Sequence, residues 1–211
     1  MDTPRFSDIT TIAYQELFTN KITGFPISVE DIAPKDYIII SFQKYSEITR
    51  VPLSLLMLNG EYSDGLTITG LRPGLNFILY NADSYEARER YTIFHEIGHI
   101  KCDHTEHGDI EEIEAHFFAA QLLMPNIIIK EIMSRGVKID INFLMDFFQV
   151  SRESAEKKMD YLRRFPQTHR NNYDDIVLQQ FRHFLDASFP IKSSIFLDDY
   201  DRDMEMERLN W

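Results

Sequence analysis

The chain has 211 residues, a formal net charge of −12 at pH 7, 44% hydrophobic residues and one cysteine. That length can bury a core of ordinary size in one domain, or one domain with a small appendage, and a lone cysteine excludes an intramolecular disulfide. The charge repels nucleic-acid phosphates and anionic membranes, no run approaches the roughly 18 uninterrupted apolar residues of a membrane helix, and the first residues lack the features of a secretory signal, so a soluble cytoplasmic protein that meets proteins or peptides is expected.

Residues 6–19 set Ile9, Ile12, Ala13 and Leu17 at helical spacing, and Gly24-Phe25-Pro26 ends that pattern. Tyr37 to Phe42 has a strand's β-branched and aromatic content, while Leu66 to Thr69 and Asn76 to Tyr80 flank the turn-rich Gly70-Leu71-Arg72-Pro73-Gly74, as in a hairpin with a longer loop. Pro52 to Leu58 fits a short helix or a buried strand equally well.

From Asp83 the pattern is helical to about Cys102, with Asp83 and Glu86 spaced as a capping box; Asp109 and Glu112 repeat that spacing before a second helix that Pro125 stops. Short amphipathic segments follow at Ile127 to Met133, Ile141 to Phe148 and Ser151 to Phe165, then a helix over Tyr173 to Ala187 and an acidic tail from Asp198 to Glu207. The expected organisation is a unit over 1–125 with helices at about 84–102 and 110–124, a helical module over 126–165, and a C-terminal helix with its tail over 166–211.

The helix at 84–102 contains His95-Glu96-Ile97-Gly98-His99, the HExxH pattern. Positions four apart lie one turn above each other, so His95 and His99 can reach one ion, and Glu96 lies at the edge of that face, where it can take a proton from a metal-bound water. Ile93, Ile97 and Ile100 fall on the opposite side and can anchor the helix on a sheet.

A catalytic zinc site takes three protein ligands and leaves a fourth position for water. The metzincin layout would place Gly and His where Cys102 and Thr105 stand, which excludes it. His104 falls on the far side if the helix continues, which points to a role behind the ligands or to a buried, hydrogen-bonded one. His107 lies in the following loop, and Glu111, Glu112, Glu114 and His116 stand on the next helix; spacing alone selects none of them, although Glu111 and Glu114 share a face.

The strings RYTIFHEIGHIKCDH (Arg90 to His104) and IEAHFFAAQLLMP (Ile113 to Pro125) resemble the ImmA/IrrE family of metallopeptidases, in which an HExxH helix precedes one reading roughly E-A-N-x-F-A-A-x-L-L-M-P. The resemblance runs from about Asn76 to Leu162 and is absent after about 165. It implies Glu114 as the third zinc ligand beside His95 and His99. His116 stands where the family has Asn and, about 200° around the helix from Glu114, is expected to face away from the metal. Cys102 falls on the metal side, with a buried free thiol as the plainer expectation.

Ile141 to Phe148 and Ser151 to Phe165 also look like a helix-turn-helix pair. Between Arg135 and Arg164, seven basic residues stand against five acidic ones, so the excess is only +2 and direct DNA binding is disfavoured. The resulting expectation is an α+β, zincin-like fold with a small antiparallel or mixed sheet, followed by a helix-turn-helix-like module. The expected activity is zinc-dependent endoproteolysis, with Zn2+ on His95, His99 and, by the resemblance, Glu114, and with Glu96 as general base; the residues do not identify the oxyanion stabiliser, for which Tyr85, Tyr91 and His107 are candidates. By resemblance the substrate is a helix-turn-helix transcriptional repressor of stress-response or mobile-element genes. The competing expectation is a non-catalytic metal-containing regulator that binds a repressor or DNA, its metal shell closed by Cys102 or His107. No residue pattern specifies an oligomeric state.

Overall fold

Helical spacing of apolar residues turns α1 (Phe6–Thr19) into a core element, with Ile9, Ala13, Tyr14 and Leu17 fully buried. The structure, a computed structural model, describes residues 3–32, 37–57, 64–72, 75–105, 108–165 and 171–191. Pro73, Gly74, His107 and the acidic tail lie outside the described residues.

Three strands form one sheet in the order β1–β3–β2. β1 (Tyr37–Ser41) runs parallel to β3 (Leu75–Tyr80), which pairs antiparallel with β2 (Gly65–Arg72) as a hairpin, although β2 continues to Arg72 where a longer loop is expected from Gly70. Ser41 ends the first strand and caps α2 (Phe42–Thr49), its side chain accepting from Lys44 N at 3.1 Å. Phe42, expected at the end of a strand, instead opens that helix, and the ambiguous Pro52 segment resolves into the short helix α3 (Leu53–Leu56).

α4 (Glu86–Lys101) packs on β2 and β3, with Ile93, Phe94 and Ile97 buried. The capping boxes do not form. α4 opens after Tyr85 and α5 (Asp109–Leu123) after Gly108, neither with a side-chain cap, so Asp83 and Asp109 do not take the N-cap positions read for them. α5 lies between α4 and α1, which explains why it is apolar on several sides: Ala115, Phe118, Ala119, Leu122 and Leu123 are all buried.

α6 (Asn126–Ser134), α7 (Ile141–Phe148), α8 (Arg152–Arg164) and α9 (Asp174–Ser188) complete the chain. Residues of α1 and of α4 through α9 share one apolar cluster. Asp109–Ser134 is long and apolar enough to cross a membrane by length and composition, but 61% of its most apolar window is buried inside the fold and Pro125 divides it. Its apolarity serves the core.

α7 ends on Gln149, whose φ of 52° turns the chain, and Ser151 caps α8 by accepting from Ser154 N at 3.1 Å. Arg90 on α4 donates through Nη2 to Phe148 O at 2.9 Å and to Gln149 O, tying this helix pair to the HExxH helix.

Candidate metal centre

His95 and His99 project from one face of α4 with their Nε2 atoms 3.1 Å apart, and both are buried. The acid facing them is Glu112: Oε2 lies 3.3 Å from His95 Nε2 and Oε1 3.3 Å from His99 Nε2. Ligand atoms on a tetrahedral ion with bonds of roughly 2.0–2.1 Å stand about 3.3 Å apart, so this spacing fits a zinc-sized cation. These three residues can hold a metal ion. His95 Nδ1, on the other edge of that ring, is buried and has no hydrogen-bond partner among the described residues.

Glu114, the third ligand implied by the resemblance, is not at this position. Its carboxylate points to the other side of α5, where Arg5 and His104 engage it, and its side chain is 2% exposed. Two residues turn an α-helix by about 200°, so Glu112 and Glu114 cannot face the same neighbour. Glu112 faces α4 and Glu114 faces the start of α1.

The approach of α5 to α4 is set at Gly98. A Cβ there would stand 3.0 Å from Phe118 Cδ1 and 3.2 Å from both Cα and O of Ala115. Glycine inside the HExxH pentapeptide therefore has a packing reason, since it brings the second helix close enough for Glu112 to reach both rings.

Glu96 is 7% exposed and is held from the sheet: Thr67 Oγ1 donates to Glu96 Oε2 at 2.7 Å. Gly65, at the start of β2, leaves room for this carboxylate, because a Cβ there would fall 2.9 Å from Glu96 Oε1 and 2.5 Å from Thr92 Cγ2. Hydrogen bonding from His95, then the charges of His95 and His99, hold the Glu112 carboxyl below its ordinary range, so it presents an anion to the site.

His116 also differs from expectation. Four residues after Glu112, it shares that face of α5, and its ring centre lies 4.3 Å from that of His95. Tyr91 Oη donates to the His116 main-chain carbonyl at 3.3 Å and lies 3.2 Å from its Nδ1. Both line a cleft of about 390 Å³ that also takes in Tyr85 and, from α8, Ser151, Glu153 and Lys157. Cys102 is turned into the core rather than towards the histidines, and burial pushes its thiol up to about 12.

The chain leaves α4 through a Schellman turn. His104 N donates to His99 O at 3.0 Å, Asp103 N donates to Ile100 O at 3.2 Å, and Asp103 is left-handed at φ 57°. The turn folds His104 back over His99, their Nδ1 atoms 3.1 Å apart. His104 is thus buried and hydrogen-bonded, but because the helix stops, not because it continues.

Thr67, Gly65, Glu112 and His116 were not selected from the sequence as working parts of the site. Glu112 and His116 carried a usable signal, a four-residue spacing that matches the period of the histidine pair. Thr67 and Gly65 carried none, since their roles arise only where β2 crosses α4.

Taken together, the small sheet, the two packed helices and the carboxylate beside an imidazole pair define a class: an α+β fold with a cluster of side chains that could hold a metal ion. The model of the IrrE N-terminal-like domain, peptidase M78, matches residues 51–160, more than half of the chain, and the protein belongs to this metallopeptidase family. No curated relative matches the chain.

Proposed function

We propose that the protein is a zinc-dependent, site-specific endopeptidase of the cytoplasm whose substrate is a helix-turn-helix transcriptional repressor. The observation that carries the peptidase reading is the convergence of His95, His99 and Glu112 at 3.1–3.3 Å with Glu96 braced beside them by Thr67. A zinc ion on these ligands would act as a Lewis acid and lower the pKa of a coordinated water to about 7. Glu96 takes the proton from the attacking water and returns it to the leaving nitrogen. A site serving structure alone has no use for Glu96 at this place.

β2 lies at an edge of the sheet and Gly65 and Leu66 line the cleft, so an extended substrate chain can pair with that edge beside Glu96. The choice of a repressor rests on the family resemblance. Of α7 and α8, read as a helix-turn-helix-like scaffold, α8 and its N-cap contribute cleft wall through Ser151, Glu153, Ser154 and Lys157. Their cations are largely spent within the protein: Arg152 pairs with Glu156, Lys157 with Glu153 and Arg163 with Asp160, and Lys158 is buried. That distribution supports a docking role over DNA binding.

The test mixes the purified, zinc-loaded protein with a candidate repressor encoded nearby and looks for a cut by mass spectrometry. A single cut that chelation abolishes, and that Glu96→Gln abolishes while keeping its zinc, is the expected result. Cleavage at the wild-type rate by Glu96→Gln would exclude the proposed base.

A further inference from the structure

We propose that Arg5, Glu114 and His104 are positioning residues that set the tautomer of His99, so that the affinity of the metal site depends on the seating of the N-terminal segment. The inference rests on the reading of His99 as a metal ligand.

The chain of contacts is continuous and buried at its centre. Arg5 donates to Glu114 Oε1 from its main-chain N at 2.7 Å and from Nε at 3.1 Å, and to Oε2 from Nη2 at 2.6 Å. His104 Nε2 meets Glu114 Oε2 at 3.0 Å, and His104 Nδ1 lies 3.1 Å from His99 Nδ1. The side chains of Glu114 and His104 are only 2% and 3% exposed.

Donor counting fixes the hydrogens along this path. Arg5 donates to both Glu114 oxygens, so the carboxylate acts as an acceptor, and the His104 nitrogen facing it carries the hydrogen. With its hydrogen at Nε2, the His104 ring offers the lone pair at Nδ1. His99 must then supply the hydrogen between the two Nδ1 atoms. Its Nε2 then presents the ring's lone pair on the side of His95 and Glu112. A histidine ligand is ordinarily fixed in this way by a carbonyl or carboxylate; here a second imidazole relays the carboxylate's effect.

Arg5 lies outside the matched residues 51–160, and its guanidinium is about half exposed, with a side-chain relative exposure of 52%. The innermost partners are thus contributed by the family domain and the outermost by the segment that enters α1. Displacing that segment removes every Arg5 contact to Glu114 at once and frees the buried carboxylate and imidazole to exchange partners.

The experiment uses the full chain. Long-range 15N–1H correlation on the metal-free protein should show His99 protonated at Nδ1 and His104 at Nε2. Zinc affinity, read by competition with a chromophoric chelator, should fall about 10-fold or more in Arg5→Ala and His104→Leu. His104→Gln, whose amide can both donate to Glu114 and accept from His99, should stay within about threefold of wild type. Arg5→Ala carries the test if His104→Leu does not fold, because the Arg5 side chain is half in solvent. A wild-type His99 protonated at Nε2 overturns the proposal, as does tight wild-type zinc binding that Arg5→Ala leaves unaltered. Wild-type protein that binds no zinc at all instead overturns the ligand reading beneath it.

Discussion

Thr67 Oγ1 lies 2.7 Å from Glu96 Oε2, a hydrogen bond that joins an edge strand to the carboxylate next to the first histidine of HExxH. A base that must take a proton in one direction and deliver it in another gains from a fixed starting geometry. Thr67→Val, which keeps the shape and loses the donor, should lower kcat about tenfold with zinc content unchanged, whereas Thr67→Ser should stay near wild type. Steady-state kinetics on a cleavable peptide, with metal analysis of the same preparations, checks this.

The two acids of α5 are expected to behave differently on replacement. Glu112 alone of the pair faces both Nε2 atoms, so Glu112→Ala should fall from about one zinc per chain to well below stoichiometric loading. Glu114→Gln should still load zinc, more weakly, because its loss acts through His104. Metal analysis after dialysis at micromolar free zinc separates the two assignments: full loading of Glu112→Ala with an empty Glu114→Gln would reverse them.

Gly98 tests how the helix pair sets the site. Glycine-to-alanine gains about 1 kcal/mol of helix propensity in an unconstrained helix. Here the added methyl meets the backbone of Ala115 at 3.2 Å and the ring of Phe118 at 3.0 Å, an overlap that costs about 1–3 kcal/mol if α5 cannot move. Gly98→Ala should therefore lower the Tm of the metal-free protein and weaken zinc binding together, as Glu112 is pushed away from the rings. A raised Tm with unchanged zinc affinity would show that the helices have slack.

Lys158 makes the stability depend on pH away from the site. The residue is 4% exposed, its Nζ donates to Ala120 O at 3.4 Å, and burial pushes it from 10.5 down to about 7. Between these values the unfolded chain binds more protons than the folded one, so folding stability rises as pH rises through that window, and the penalty is complete below about 7. Lys158→Met should raise stability at pH 7 by an amount on the order of a few kcal/mol and flatten the rise between pH 7 and 10. Chemical denaturation across that range reads both effects.

Much of the fold was legible because its signals are short in range. The spacing of Ile9, Ala13 and Leu17 predicts α1, and the turn residues between Leu66 and Tyr80 predict the β2–β3 hairpin. α2 was not read, because Phe42 looks like the end of a strand until Ser41 is seen to cap the helix behind it. The parallel pairing of β1 with β3 brings together Tyr37 and Asn76, distant in sequence, and no local pattern encodes such a pairing.

For the site, the sequence alone determined that His95 and His99 share a helix face with Glu96 at its edge, because a period of 3.6 residues is a property of the helix itself. Which acid completes the group was decided by tertiary structure. Glu112 and Glu114 stand on the same helix with equal chemistry, and the contact of Gly98 with Ala115 turns the first towards the rings while α1 brings Arg5 to the second across 109 residues. Helix periodicity separates the faces of α5; only the packing of two neighbours against it says what each face meets.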